Sequence, residues 1–224
     1  MTKSDFQPFE DAPANEVPVR GYLHVPANLA DHAIVLTHSA GANCQSSLLV
    51  ALADSFCKSG LLVLRCDLPF RQLRPHGPPL RGSAERDQQG LRRAVGAVKR
   101  KVMGRVFLGG HSYGGRQASM LAAGEPELVH ALLLLSYPLH PPKARTQLRT
   151  AHFPAIRIPT LFAHGTRDGF GTIDEMNRAR KLIPARTRLL PIENAGHELM
   201  TPRNRSTLPN IVSGEFVAFV EAHA

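Results

Sequence analysis

Residues 105–115 read Arg105-Val106-Phe107-Leu108-Gly109-Gly110-His111-Ser112-Tyr113-Gly114-Gly115. An apolar, strand-like run leads into G-x-S-x-G, formed by Gly110, Ser112 and Gly114. The residues after it, Arg116 to Ala123, are rich in small side chains and read as a helix. A strand that turns sharply into a helix at one serine brings neighbouring turns very close together. The positions two before and two after the serine must then be tiny, and glycine satisfies both. In a chain with 18 glycines the bare motif carries little weight. The strand before it and the helix after it supply the context that a nucleophile elbow demands.

A serine hydroxyl is a poor nucleophile at neutral pH. It needs an imidazole to take its proton, and the imidazole needs a carboxylate to fix its tautomer. On an elbow of this type these partners follow in the order serine, acid, histidine. His197 lies in Glu193-Asn194-Ala195-Gly196-His197-Glu198, past the last strand-like run and before the final helical pattern. Asp168 lies in His164-Gly165-Thr166-Arg167-Asp168-Gly169, just past another strand-like run. Ser112, Asp168 and His197 are therefore the candidate catalytic residues. The competing readings are an Asp-Gly turn for Asp168 and a surface-loop histidine for His197. Asp174 and Glu175 are rival acids, but they fall on the following helix, where Glu175 reads as the partner of Thr172 in a capping box. Acyl transfer also needs donors aimed at the developing oxyanion. The backbone N–H of Tyr113 is one candidate. The other is the N–H of Ala40, in the small-residue turn Thr37-His38-Ser39-Ala40-Gly41-Ala42-Asn43, which otherwise reads as an ordinary βα loop.

Strand-length apolar runs occur at 32–37, 61–66, 105–109, 131–136, 160–164 and 187–192. Several are continuous rather than alternating, as expected for parallel strands buried on both faces. An alternating run at 19–25 reads as an antiparallel edge strand. Helical patterns fall between the runs, at 46–59, 84–102, 114–124, 173–182 and 207–222. The alternation predicts an α/β fold, a mostly parallel central sheet flanked by helices on both faces. Two loops are long for this architecture, 67–82 and 137–158. Both follow strands, which places them at the carboxyl edge of the sheet where ligands bind.

The chain has 224 residues, 43% hydrophobic and 20% charged, an ordinary globular composition. The expected organisation is a flexible N-terminal arm over 1–18 and a single domain over 19–224. No apolar run approaches the roughly 18 residues of a membrane span, and the start of the chain does not read as a secretory signal. Three cysteines without CxxC spacing argue against a disulfide framework or a zinc site and fit a reducing cytoplasm. There are 27 Lys plus Arg against 18 Asp plus Glu, giving a net charge of +9. The basic residues form no run and no aromatic-interleaved patch, so no nucleic-acid partner is expected.

Arg71, Arg74, His76 and Arg81 share one long loop; His140, Lys143, Arg145, Arg149 and His152 share the other. Overhanging Ser112, they would make a basic mouth suited to an acidic small-molecule substrate. The alternative is that they are solvated or paired with acids such as Asp67 and Glu85. The candidate substrate-binding residues are His38, Ser39, His111, Arg71 and Arg74.

Four segments carry a family resemblance. They are Thr37-His38-Ser39-Ala40-Gly41, Gly109-Gly110-His111-Ser112-Tyr113-Gly114-Gly115-Arg116, Ser136-Tyr137-Pro138-Leu139-His140-Pro141-Pro142 and Gly165-Thr166-Arg167-Asp168-Gly169-Phe170-Gly171-Thr172. From about residue 32 to its end, the chain resembles an α/β-hydrolase-like family akin to the dienelactone hydrolases. That family holds testis-expressed hydrolase-like proteins, a subunit of an animal histone-acetyltransferase complex and many bacterial proteins. The resemblance implies a compact α/β-hydrolase fold with little or no lid. Two departures stand out: Ser39 occupies a position where hydrolases commonly have Gly, and Ser112 stands where dienelactone hydrolases have Cys. The expected activity is cleavage of a carboxylic ester or thioester through an acyl-enzyme, needing no metal and no organic cofactor. Some animal members of the family act as scaffolds, so a non-catalytic interaction module is the alternative. The complete Ser, Asp, His set in order argues for an enzyme.

Overall fold

The computed structural model describes residues 6–28, 30–141 and 143–222. Among them, one eight-stranded sheet runs through the molecule in the order β1-β2-β4-β3-β5-β6-β7-β8. The strands are β1 (Phe6–Asp11), β2 (Val19–His24), β3 (Ala33–Thr37), β4 (Leu62–Cys66), β5 (Val106–His111), β6 (Leu132–Leu135), β7 (Thr160–Gly165) and β8 (Thr187–Ile192). From β4 through β8 all neighbours are parallel; β2 is antiparallel to β4, and β1 to β2.

The continuous apolar runs become strands buried on both faces, with alternate residues serving different cores. Ala33 and Val35, Leu62 and Leu64, Val106 and Leu108, and Leu132 and Leu134 point to one side. Ile34 and Leu36, Val63, Phe107, and Leu133 and Leu135 point to the other. The first core is closed by α3 (Ser83–Lys99), α4 (Tyr113–Gly124) and α5 (Ile173–Ala179), through residues such as Leu91, Val95, Leu121 and Met176. The second is closed by α1 (Ser47–Lys58) and α6 (Leu208–Glu221), through Leu49, Leu52, Phe56, Val212 and Phe216. This is the α/β-hydrolase architecture, a mostly parallel sheet between two helical layers. No helix of the described residues is long and apolar enough to cross a membrane.

Two expectations change and one holds. Residues 6–11, expected within the flexible arm, form the edge strand β1, so β2 lies inside the sheet rather than at its edge. The cause is aromatic packing on a buried cation. The Phe6 ring lies 5.0 Å from His24 and 5.5 Å from Tyr22. The Arg65 guanidinium sits 5.0 Å from the Phe6 centroid and 4.9 Å from that of Tyr22. Second, loop 67–82 contains a short helix, α2 (Pro69–Leu73), started by Pro69 at its first turn. The expected capping box of Thr172 and Glu175 is present. The Glu175 N–H donates to Thr172 Oγ1 at 3.2 Å, and its carboxylate accepts the Thr172 N–H at 2.8 Å. These bonds, the backbone N–H first, hold its pKa down at about 2.

The buried His24 and the half-buried His152 tie the fold to pH. Burial and the Arg65 charge push His24 down to about 4, against an opposing pull from Asp54. Burial and the Arg116 charge push His152 to about 4. In the unfolded chain both take up protons near pH 6.5. Between these values the unfolded state binds more protons, so stability is complete above about 6.5 and falls as pH drops toward 4. Each shifted unit is worth about 1.4 kcal/mol. The melting temperature is expected to fall by several degrees between pH 7 and pH 4.5, and His152→Gln to flatten part of that slope. A melting temperature independent of pH across this range would contradict the assignment.

Candidate active site

Ser112 sits between β5 and α4 with φ 51° and ψ −112°, a conformation that L-residues rarely adopt. Packing enforces it. A Cβ on Gly110 would lie 2.5 Å from the Gly114 carbonyl carbon and 2.5 Å from the Gly115 nitrogen. A Cβ on Gly114 would lie 2.5 Å from the His38 carbonyl oxygen. The Ser112 N–H is anchored to Leu135 O at 2.8 Å, tying the turn to β6.

Asp168 follows β7 and His197 follows β8, so both emerge at the carboxyl edge beside Ser112. The Ser112 hydroxyl lies 2.7 Å from His197 Nε2. His197 Nδ1 lies 2.9 Å from Asp168 Oδ2 and 3.1 Å from Oδ1. Asp168 also accepts the Phe170 N–H at 2.8 Å. Burial by itself raises the Asp168 carboxyl. The His197 hydrogen bond and charge, with the Phe170 N–H, outweigh burial and hold it below the usual aspartate range. Since Asp168 stays ionised, Nδ1 of His197 carries the proton and Nε2 is left to accept from Ser112. The Phe170 ring lies over His197 with centroids 4.1 Å apart.

The proposed oxyanion donors have a structural basis. The Tyr113 N–H is the first of α4, where no acceptor exists within the helix. The Ser39–Ala40 peptide is fixed through its carbonyl. Ser39 O accepts the Ala42 N–H at 3.2 Å and lies 2.8 Å from His38 Nδ1. Because His38 Nε2 accepts the Leu68 N–H at 3.0 Å, the ring proton is on Nδ1 and points at Ser39 O. In a trans peptide the N–H lies opposite the C=O, so the Ala40 N–H is directed away from these partners.

Ser39, Ala40, Ser112, Tyr113 and His197 line one open cavity of about 860 Å³. Both long loops border it, through Pro79, Leu80 and Arg81 on one side and Pro138 and Arg149 on the other. Four expected substrate-binding residues lie elsewhere. His38 is buried and holds the turn after β3 through Ser39 O, and burial lowers its pKa. His111 is buried, with Nε2 held 2.9 Å from the carbonyl of His197, and burial lowers its pKa as well. Arg71 is buried, donating to the carbonyls of Ala40 at 2.7 Å, Ala42 at 2.8 Å, Arg74 at 2.9 Å and Gly77 at 2.9 Å. Arg74 turns to Pro78 O at 3.4 Å. These hydrogen bonds go to the protein's own loops, which residue type alone does not reveal.

Arg116, Gln117, Phe170 and Glu198 line the cavity without having been expected there. A signal existed for Arg116, which stands one helical turn beyond Ser112. Among the described residues, no group of three or more His, Cys, Asp or Glu is placed to hold a metal ion.

A family model described as "Alpha/beta hydrolase domain" matches residues 30–214. The fold is similar to that of a dienelactone hydrolase from Anabaena variabilis, at 25% identity, a TM-score of 0.73 and coverage of 94% of this chain and 98% of that one. It is also similar to Est1E from Butyrivibrio proteoclasticus, at 14% identity and a TM-score of 0.76, covering 96% and 99%. An alpha-beta serine hydrolase homologue from Coxiella burnetii matches at 13% identity and a TM-score of 0.73, covering 93% and 96%.

Because Gly110 abuts backbone that cannot swing aside, Gly110→Ala is expected to cost about 1–3 kcal/mol of stability through overpacking. Urea denaturation measures it. An unchanged midpoint would show that the turn can relax without Gly110.

Proposed function

The chain belongs to the alpha/beta hydrolase domain family, and from that membership and the geometry around Ser112 we propose that it is a serine hydrolase cleaving a carboxylic ester or thioester. The observation that carries this reading is the unbroken contact chain from Ser112 Oγ to His197 at 2.7 Å and from His197 to Asp168 at 2.9 Å, opening on a cavity. Ser112 attacks the substrate carbonyl as His197 takes its proton. Asp168 holds the ring and stabilises the imidazolium. The N–H groups of Tyr113 and Ala40 receive the oxyanion. His197 then protonates the leaving group and activates water to release the acid. Each step uses protein groups and water.

The non-catalytic reading fits less well, since a scaffold has no need of a strained serine bonded to an oriented imidazole. Kinship with the testis-expressed and histone-acetyltransferase-subunit family, carried by the segments around Ser112, Tyr137 and Asp168, belongs to the same proposal.

A fluorophosphonate probe is expected to label the wild-type chain, but neither Ser112→Ala nor His197→Ala. On any ester turned over, Ser112→Ala is expected to lower kcat by about 10⁴-fold or more. Folded wild-type protein that takes up no probe and cleaves no ester would favour the scaffold.

A further inference from the structure

The start of α4 carries, at the cavity wall, buried donors that find no acceptor among the described residues. Arg116 and Gln117 line the cavity beside Ser112. Arg116 Nε and Gln117 Nε2 are both buried, and neither meets a hydrogen-bond acceptor among the described residues. Gln117 is 0% exposed, and its Oε1 is taken by Gln88 Nε2 at 3.1 Å, which leaves the amide nitrogen as the spare atom. Arg149, from loop 137–158, lines the same cavity. Its side chain reaches Pro138 O at a long 3.3 Å. Among the described residues, no carboxylate pairs with Arg116 or Arg149. Burial first, and then the charge of Arg116, makes the Arg149 guanidinium hold its proton less firmly than usual. Glu198, the one acid among the described residues of the cavity wall, is exposed.

A buried donor without an acceptor costs about 1–3 kcal/mol, and two neighbouring like charges add to that cost. Such groups in a native fold call for an explanation, and here two of them border the cavity that holds Ser112, together with the half-buried and weakly bonded Arg149. All three are donors, two of them cationic. What answers them is an acceptor-rich anion. We propose that Arg116, Gln117 and Arg149 form an oxoanion subsite, so that the ester or thioester cleaved at Ser112 carries a carboxylate or phosphate group. This assignment rests on the hydrolase reading for its chemistry, though not for its binding. The planar forks of the two guanidiniums match paired oxygens of either anion, and the amide adds a further donor. Arg81, exposed on the cavity wall, adds longer-range attraction. Of the residues expected to form a basic mouth, Arg81 and Arg149 line the cavity, and α4 adds Arg116.

The test compares small esters of equal size in neutral, carboxylate-bearing and phosphate-bearing versions, with the charge on either the acyl or the alcohol part. Wild-type kcat/KM is expected to favour one anionic version by about tenfold or more, as charge-assisted hydrogen bonds imply, and the winner identifies the anion. The preference is expected to collapse in Arg116→Gln and Arg149→Gln and to survive in Arg116→Lys. A second arm measures binding of glutarate and of inorganic phosphate to Ser112→Ala by calorimetry, with and without Arg116→Gln. Anion binding that depends on Arg116, without turnover of any ester, would support the subsite and remove the hydrolase reading. Turnover of neutral esters at least as fast as anionic ones, with no Arg116-dependent binding, would overturn the subsite and leave the hydrolase intact. Variants that melt like wild type but keep the full anion preference would also overturn it.

Discussion

The contact of Gly110 with Gly114 and Gly115 across the Ser112 turn sets the position of everything else in the site. With no Cβ at Gly110 or Gly114, the end of β5 and the first turn of α4 approach to a distance that no other residue allows. That approach forces Ser112 to φ 51° and lifts its hydroxyl above the edge of the sheet. The same closeness brings the α4 N-terminus against the turn after β3, since the His38 carbonyl lies where a Gly114 side chain would be. The two N–H groups proposed to receive the oxyanion come from these two segments, so one packing contact positions both the proposed nucleophile and its proposed electrostatic support.

Around this turn, histidines serve two different purposes. His38, His111 and His164 are buried, and burial lowers the pKa of each. Each also sets one ring nitrogen against a backbone carbonyl: Ser39 O at 2.8 Å, His197 O at 2.9 Å and Gly171 O at 2.8 Å. They act as rigid neutral struts for the turn after β3, for the loop carrying His197, and for the loop carrying Asp168. His197 is only partly buried, opens on the cavity and faces an ionised carboxylate. The cost of burying charge keeps the struts neutral, while Asp168 offers His197 compensation for becoming charged.

The elements that were hardest to read from the chain are those whose stability comes from distant partners. Residues 6–11 carry Phe6 and Phe9 but also Pro8 and two acids, a weak strand pattern. They order because Phe6 meets His24 and Arg65, a buried cation supplied by β4. Arg65 in turn donates to His24 Nε2 at 2.8 Å and Cys44 O at 2.5 Å. Helix α2, five residues long, is too short for periodicity to register; Asp87 of α3 accepts its Phe70 N–H at 3.0 Å. The basic loops show the same limit. Arg71 looked like a substrate ligand, but it spends its donors on carbonyls as far as 31 residues away.

The parallel sheet, the two helical layers, the elbow and the chain order of Ser112, Asp168 and His197 were all legible in the amino-acid sequence. They depend on local periodicity and on steric demands that glycine alone meets. Which polar side chains face the cavity was decided only by the tertiary structure. Arg71 and Arg116 are chemically identical. One donates to four backbone oxygens, while the other carries a buried Nε with no acceptor among the described residues. A hydrogen-bonding group becomes available to a ligand only when folding has left it without a partner, and those partners come from segments that only the folded chain brings together.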